Sequence, residues 1–181
     1  FELLADFARA AVAHANNQSL VYHRQVIDDR LIELLRRTLA DVPNVTLVHA
    51  DASSMPLADL HATVLVANLP YNIATYLVLR ALEEAPQISR ITVMTQKEVG
   101  ERLAADVGSK AYGQTSVMVR FFGHAKVVAP ISRRAFYPVP NVDSVLVEVS
   151  RGVRPAIEHE HFSKVVKAAF SQRRKTLRNT L

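Results

Sequence analysis

The chain of 181 residues contains no cysteine, which excludes a disulfide-stapled scaffold and a thiolate metal site. No apolar run reaches the ~18–20 residues of a membrane-spanning helix, and no signal-peptide pattern is present. The histidines are scattered, so no metal site is predicted. Because 49% of the residues are hydrophobic, a packed core is expected. We therefore expect a soluble, cytoplasmic protein.

Positive charge is concentrated in the last part of the chain. The net charge is +5, and residues 151–181 alone contribute +6. A basic tail on a nearly neutral body favours an anionic partner such as nucleic acid. A solvent-exposed helix face would show the same pattern.

The middle of the chain alternates between strand and helix patterns, after an amphipathic helix predicted over 2–15. The predicted strands are 20–27, 43–50, 62–69 and 90–96, and the predicted helices are 28–42, 72–84 and 97–107. This alternation is typical of a parallel sheet covered by helices, so the predicted fold class is α/β.

The pattern changes after residue 107. Three further strands are predicted over 114–122, 124–131 and 142–150, with no long helix between them, which indicates an antiparallel addition at the sheet edge. Residues 151–155 are predicted to form a linker, and 160–181 a basic amphipathic helix.

The stretch "NLPYN" (68–72) follows the apolar run of the strand predicted over 62–69. Ligands bind at the carboxyl ends of parallel strands in open α/β sheets, where this stretch is expected. Pro70 fixes its own φ and biases Leu69 away from helical geometry, so the Leu69 carbonyl lacks a helical donor. Asn68 adds an amide group and Tyr71 a flat aromatic face. An ordinary strand-to-helix turn is the alternative interpretation.

Adenine is a planar ring with an amine that fits these groups. The Asn68 Oδ1 and Leu69 O atoms match the two N–H bonds of the amine, and Tyr71 matches the ring. Accepting both N–H bonds favours a pyramidal nitrogen with a localised lone pair, which attacks an electrophilic methyl group more readily. Enzymes that modify a base take it out of its stack and often hold it against aromatic rings.

A second aromatic residue, Phe136, stands before two prolines in "FYPVP" (136–140). Because the prolines stiffen this loop, Phe136 is a candidate for the other wall of an aromatic sandwich. A core phenylalanine beside an edge-strand turn is the alternative interpretation.

Four stretches carry a resemblance to a known family: "NLPYN" (68–72), "QKEVGERLAADVGSKAYG" (96–113), "FYPVPNVDS" (136–144) and "AFSQRRKTLRNTL" (169–181). In their order and spacing the chain resembles the KsgA-type small-subunit ribosomal RNA adenine N6,N6-dimethyltransferases over residues 26–181. Related large-subunit dimethyltransferases that confer antibiotic resistance resemble it less in "SKAYG" and "QRRKTLRN".

The resemblance implies a Rossmann-like class I methyltransferase sheet with an antiparallel edge hairpin over 1–150. Residues 151–181 then correspond to a linker and the start of a basic C-terminal helical domain. The implied cofactor is S-adenosylmethionine, and the implied reaction is dimethylation of two adjacent adenines near the 3′ end of small-subunit rRNA. The implied partner is the immature small ribosomal subunit, and the implied state is a monomer without membrane attachment.

The resemblance also assigns site residues. Asn68, Leu69, Pro70 and Tyr71 match the target-base motif, and Phe136 matches its second stacking aromatic. The implied cofactor-binding residues are Asp51, which matches the acid that binds the adenine amine, Ala52, which offers a backbone N–H, and Asn68. A turn residue or helix N-cap is the alternative for Asp51. The expected RNA-binding residues are Arg133, Arg134, Arg173, Arg174, Lys175 and Arg178.

Two features depart from the family. The glycine-rich cofactor loop that follows the family's first strand is absent, since all five glycines lie at or beyond Gly100. Val26 occupies the position of the acid that holds the cofactor ribose. By this resemblance the chain is incomplete at the N-terminal cofactor loop and in the C-terminal domain. A non-catalytic rRNA-binding protein on the same scaffold therefore stands as the alternative function. A nicotinamide-dependent oxidoreductase is disfavoured by the absence of Gly-x-Gly-x-x-Gly.

Overall fold

The structure is a computed structural model that describes residues 33, 36–41, 46, 48 and 50–172. The chain divides into two compact units, Phe1–Ala62 and Thr63–Leu181. In the first unit, residues 33 and 36–38 are helical, as the helix predicted over 28–42 requires. Thr46, Val48 and Ala50 are the described residues of the strand predicted over 43–50, and none of them lies in a strand. The helix predicted over 2–15 and the strand predicted over 20–27 lie outside the described residues.

The second unit contains four strands and four α-helices among its described residues. In chain order they are β1 (Val64–Asn68), α1 (Ala74–Glu84), β2 (Arg90–Gln96), α2 (Lys97–Leu103), α3 (Gln114–Phe122), β3 (Gly123–Ile131), β4 (Ser144–Arg151) and α4 (His159–Ala169). One 3₁₀ turn, Arg133–Ala135, lies between β3 and β4. Within the described part of the chain, no helix is long and apolar enough to cross a membrane.

The four strands form one sheet in the order β1-β2-β4-β3. β1 and β2 are parallel and are joined through α1, as the βαβ pattern of the sequence predicts. β4 runs antiparallel to β2 on one side and to β3 on the other. The predicted antiparallel addition at the edge of a parallel sheet is confirmed.

One face of the sheet forms the core. Its buried side chains alternate along β2 and β4, as one covered face requires: Ile91, Val93, Thr95, Val145, Val147 and Val149. Helix α2 lies directly on this face, because a Cβ on Gly100 would stand 2.2 Å from Val145 Cγ2 and 2.8 Å from Val147 Cγ2. A residue without a side chain is therefore needed at position 100 for this close approach.

The prediction of a strand over 114–122 is wrong, because these residues form helix α3. The β-branched and aromatic residues suggested a strand, but the buried positions are spaced as one helical face: Ser116, Met118, Val119, Phe121 and Phe122. Ser116 fixes the first turn by accepting from the Gly113 backbone N–H at 3.2 Å. Tertiary packing therefore overrides local β propensity here.

Helices α2 and α4 are shorter than the sequence predicts. The helix predicted over 97–107 ends at Leu103, and the Arg102 carbonyl near its end accepts from Ser116 Oγ at 2.7 Å. The helix predicted over 160–181 begins at His159 and ends at Ala169, and residues 173–181 of that prediction lie outside the described residues. Ser171 Oγ donates to the Ala168 carbonyl at 2.7 Å, which satisfies a terminal acceptor of α4.

Arg151, predicted as the start of a linker, is the last residue of β4. Its guanidinium donates to the carbonyl oxygens of Leu82 at 3.0 Å, Ala85 at 3.0 Å and Ile88 at 2.9 Å, at and beyond the end of α1. A cation at a helix C-terminus complements the helix dipole and its unpaired carbonyl groups. Burial lowers the pKa of the Arg151 guanidinium, and the charge of Arg154 lowers it further.

Candidate functional site

The last residues of β1, β2 and β3 and the first residue of β4 lie at one end of the sheet, which we call the site edge. Asn68, the last residue of β1, pairs with Met94 near the end of the parallel β2. Gln96 ends β2 opposite Ser144, the first residue of β4. Ser144 in turn lies opposite Ile131, the last residue of β3. Loops 69–73 and 132–143 therefore leave the sheet from the same edge, where ligands bind in open α/β sheets.

Asn68 and Leu69 present two acceptor groups at this edge. The Leu69 backbone N–H is used, since it donates to the Met94 carbonyl at 3.2 Å. Within residues 50–172, no hydrogen bond is found for the exposed Asn68 carboxamide, and no backbone N–H donates to the Leu69 carbonyl. The turn after the strand is closed by a hydrogen bond to the next carbonyl, since the Ile73 N–H donates to the Pro70 carbonyl at 3.2 Å. The lack of a helical donor for Leu69, predicted from Pro70, is thus found in the structure.

The Tyr71 hydroxyl makes a hydrogen bond to the start of β4. The Tyr71 hydroxyl lies 2.9 Å from Ser144 Oγ, and the two residues are 73 positions apart in the chain. Ser144 is 1% exposed, whereas Tyr71 is half-buried. The hydrogen bond fixes one end of the ring against the start of β4 and leaves part of the side chain accessible.

Asp143, next to Ser144, holds the loop that carries Phe136. Its Oδ1 atom accepts from the Arg133 backbone N–H at 2.9 Å, and its carbonyl accepts from the Lys97 backbone N–H at 3.0 Å. The Arg133 carbonyl then accepts from the Phe136 N–H at 3.2 Å. Phe136 is half-buried at the end of this turn. Consecutive residues at the start of β4 thus anchor both candidate stacking aromatics, Tyr71 through Ser144 and the turn of Phe136 through Asp143.

The predicted RNA-binding residues are only partly described. Arg133 and Arg134 are exposed in the turn before Phe136, and Arg133 Nη1 also donates to the Asn141 carbonyl at 3.3 Å. Neither guanidinium has a carboxylate partner among the described residues. Lys126, by contrast, pairs with Glu148 at 2.9 Å, and its hydrogen bond lowers the pKa of that carboxyl group. The remaining predicted residues lie outside the described residues: Arg173, Arg174, Lys175 and Arg178.

Asp51 and Ala52 belong to the first unit and are half-buried. Asp51 Oδ1 accepts from both the backbone N–H and the hydroxyl of Ser53, each at 2.8 Å, and its carbonyl accepts from Met55 N–H at 3.0 Å. Asp51 is therefore a turn residue whose carboxylate is held in one orientation. An oriented carboxylate fits the role of an acceptor for an amine, and the turn interpretation and the binding interpretation are compatible.

Asp143 and Ser144 are the site residues to which sequence reasoning assigned no role. Both lie in the quoted stretch "FYPVPNVDS" (136–144), where a small polar pair precedes an apolar strand. The position of this pair is the sequence feature that could have indicated a role, because polar residues at the start of a buried strand need hydrogen-bond partners. The identity of those partners depends on the fold of distant segments.

Comparison with protein families and curated proteins gives one consistent result. The family model for ribosomal RNA adenine dimethylase matches residues 23–181. A "Ribosomal RNA small subunit methyltransferase A" from Staphylococcus carnosus is 40% identical over 164 residues, covering 84% of this chain and 55% of that protein. The protein of the same name from Staphylococcus aureus strain JH9 is 42% identical with the same coverage. The chain thus spans about half the length of the curated relatives it matches.

Two solved structures share the fold. A dimethyladenosine transferase from Plasmodium falciparum matches with a TM-score of 0.79 at 25% identity, over 90% of this chain and 58% of that chain. The 23S rRNA methyltransferase ErmE matches with a TM-score of 0.76 at 26% identity, over 95% of this chain and 68% of that chain. The α/β sheet is thus of the Rossmann-like class I methyltransferase type. The chain belongs to the ribosomal RNA adenine dimethylase family.

Proposed function

We propose that this chain carries the target-base site of an enzyme that dimethylates the N6 amines of two adjacent adenines near the 3′ end of small-subunit rRNA. S-Adenosylmethionine is the proposed methyl donor. The observation that carries the proposal is the edge formed by Asn68, Leu69 and Tyr71. Within residues 50–172 no hydrogen-bond donor is found for its two acceptors, the Asn68 carboxamide oxygen and the Leu69 carbonyl, which lie beside a hydroxyl-anchored aromatic ring. Family membership and the names of the relatives support the same reaction.

The proposed role of Asn68 and Leu69 is to prepare the adenine amine. Asn68 Oδ1 and Leu69 O each accept one N–H bond of that amine, so the nitrogen lone pair turns away from the ring. Pre-positioned acceptors of this kind act most strongly on a group that develops positive charge. Pro70 keeps the two acceptors side by side because its fixed φ stiffens the turn.

The proposed role of Tyr71 and Phe136 is to hold the base once it has left its stack. Taking a base out of its stack costs a few kcal/mol, because contacts with the neighbouring bases are lost, and aromatic side chains replace those contacts. Ser144 and Asp143 support the two aromatic residues from one strand end. Hydrogen bonds from the start of β4 thereby orient the two loops that hold the base.

Cofactor-binding roles are proposed for three residues. In the first unit, the oriented carboxylate of Asp51 would accept from the adenine amine of S-adenosylmethionine, and Ala52 would offer its backbone N–H. In the second unit, Asn68 would contact the cofactor. When bound, the cofactor supplies a sulfonium-activated methyl group. The proposed cofactor role of Asp51 can be tested by calorimetry, in which Asp51→Ala should weaken S-adenosylmethionine binding about tenfold.

The proposed partner is small-subunit rRNA within the immature subunit, bound by a cytoplasmic monomer. Residues 1–150 would form the methyltransferase domain, and 151–181 would form the linker and the start of a basic helical domain. The exposed Arg133 and Arg134 support RNA contacts at the site edge. Cations on phosphates give an affinity that falls steeply with salt.

A non-catalytic rRNA-binding role is the second candidate. The absence of any glycine before Gly100, and Val26 at the position of the ribose-binding acid, favour it. One assay distinguishes the two candidate functions, in which the full chain is incubated with S-adenosylmethionine and unmethylated small-subunit RNA. Dimethyladenosine in the digested RNA supports the enzyme. Salt-sensitive RNA binding without any methylated adenine supports the second role.

A further inference from the structure

Tyr137 is the most exposed large residue in the loop that carries Phe136. Tyr137 is 100% exposed, although Phe136 immediately before it is half-buried. Two further apolar residues of the loop, Val139 and Val142, are 55% and 42% exposed. A group of exposed apolar side chains on one loop marks an interaction surface, whereas single exposed side chains are ordinary.

The loop is held in one shape by contacts between its ends. Arg133 donates from its backbone N–H to Asp143 Oδ1 at 2.9 Å and from Nη1 to the Asn141 carbonyl at 3.3 Å. Pro138 and Pro140 restrict the backbone between these contacts. A ring presented by a pre-shaped loop binds with less loss of conformational freedom than a ring on a mobile one.

The charge beside Tyr137 is positive. Arg133 and Arg134 are exposed, and within residues 50–172 neither guanidinium pairs with a carboxylate. The carboxylate of Asp143 faces the base of the loop, where its Oδ1 is occupied by the Arg133 N–H. Aromatic rings next to cations are the combination that binds single-stranded nucleic acid, because the rings stack on bases and the cations contact phosphates.

We propose that Tyr137 stacks on the base of an RNA nucleotide that neighbours the target adenine, while Arg133 and Arg134 contact the adjoining phosphates. The inference rests on the proposed function and assigns Tyr137 to its RNA substrate. RNA is favoured over a protein partner because the loop leaves the sheet at the same edge as Asn68 and carries two guanidinium groups that pair with no carboxylate within residues 50–172. Adjacent residues then hold adjacent bases, with Phe136 on the target side and Tyr137 outside.

The first experiment uses fluorescence, since the chain contains no tryptophan. Tyr137→Trp introduces a single indole, and a short single-stranded RNA with two adjacent adenines is titrated into the full chain. Stacking should quench the indole emission in a saturable manner. Val64→Trp is the matched control, because Val64 is 39% exposed and begins β1, at the end of the strand opposite Asn68. Its emission should stay constant.

The second experiment separates stacking from charge. Tyr137→Ala should weaken RNA binding on the order of tenfold, while Tyr137→Phe should bind as the wild type does. The salt dependence of binding should keep its slope in Tyr137→Ala, because a neutral side chain releases no counterions. Arg134→Ala should reduce that slope by about one. An RNA with an abasic nucleotide beside the target adenine should abolish the difference between wild type and Tyr137→Ala.

RNA binding that leaves the indole emission of the Tyr137→Trp variant unchanged, with wild-type affinity in Tyr137→Ala, would overturn the stacking role and leave the proposed function intact. The surface would then belong to another partner, such as a protein. A wild-type chain that binds no RNA would overturn both this inference and the proposed RNA substrate.

Discussion

The hydrogen bond between the Tyr71 and Ser144 hydroxyls allows a quantitative prediction, because the two ends of the bond differ in burial. Ser144 is 1% exposed, so Tyr71→Phe leaves a buried hydroxyl without a partner, at a cost of about 1–3 kcal/mol in unfolding free energy. Ser144→Ala leaves the hydroxyl of the half-buried Tyr71, which water reaches, at a cost of about 0.5–1.5 kcal/mol. Tyr71→Phe should therefore be the more damaging change.

Urea unfolding of both single variants and the double variant tests this contact. The double variant should lose about 1 kcal/mol less than the sum of the single losses, since each single change already breaks the bond. Ser150→Ala, at the exposed other end of β4, is the matched control and should change stability by less than about 0.5 kcal/mol. Additive losses, with a coupling below about 0.3 kcal/mol, would refute the contact.

The same variants connect the contact to catalysis. If the bond sets the Tyr71 ring against the base, Ser144→Ala should lower kcat for methyl transfer about fivefold, as expected for ~1 kcal/mol of lost positioning. Tyr71→Phe keeps the stacking face and should lower kcat by a similar factor. A normal kcat in both variants would show that the bond serves stability alone.

Substitutions at three further positions test the framework around the site. Gly100→Ala should destabilise the protein by about 1–3 kcal/mol in thermal unfolding, because the new methyl group would stand 2.2 Å from Val145 Cγ2; wild-type stability would show that α2 does not lie so close. Arg151→Lys should lower the unfolding free energy by about 1–3 kcal/mol, since an ammonium cannot reproduce the fork of donors at the end of α1. Asp143→Asn should keep the acceptor for the Arg133 N–H and retain urea stability within about 0.5 kcal/mol, whereas Asp143→Ala should lose about 1 kcal/mol. Equal losses in the two Asp143 variants would indicate that the charge matters more than the hydrogen bond.

Local patterns in the sequence predicted the parallel pair of strands β1 and β2. β2 occupies Arg90–Gln96 as predicted, because a short buried run between charged residues has few alternatives. The edge with Asn68 and Leu69 followed from the rule that ligands bind at the carboxyl ends of parallel strands. In the turn at Pro70, no backbone N–H within residues 50–172 donates to the Leu69 carbonyl, as the proline predicts.

Long-range contacts account for what the sequence did not predict. The residues of α3 favour a strand locally, and packing of their apolar face determines the helix. Arg151 was assigned to a linker because its carbonyl partners lie more than sixty residues earlier in the chain. The link from Ser144 to Tyr71 spans 73 positions, so no local pattern contains it.

The most direct test of the proposed function is methyl transfer by wild type, Asn68→Ala and Asn72→Ala. Asn72 is an exposed asparagine in the same stretch and has no role in the proposed site, so Asn72→Ala controls for local disturbance. The assay measures dimethyladenosine in digested small-subunit RNA after incubation with S-adenosylmethionine. We expect Asn68→Ala to lose about 10²-fold or more in kcat, as for other pre-positioned groups at a reacting centre, while Asn72→Ala retains wild-type activity. Full activity in Asn68→Ala would contradict the proposal that its carboxamide holds the adenine amine.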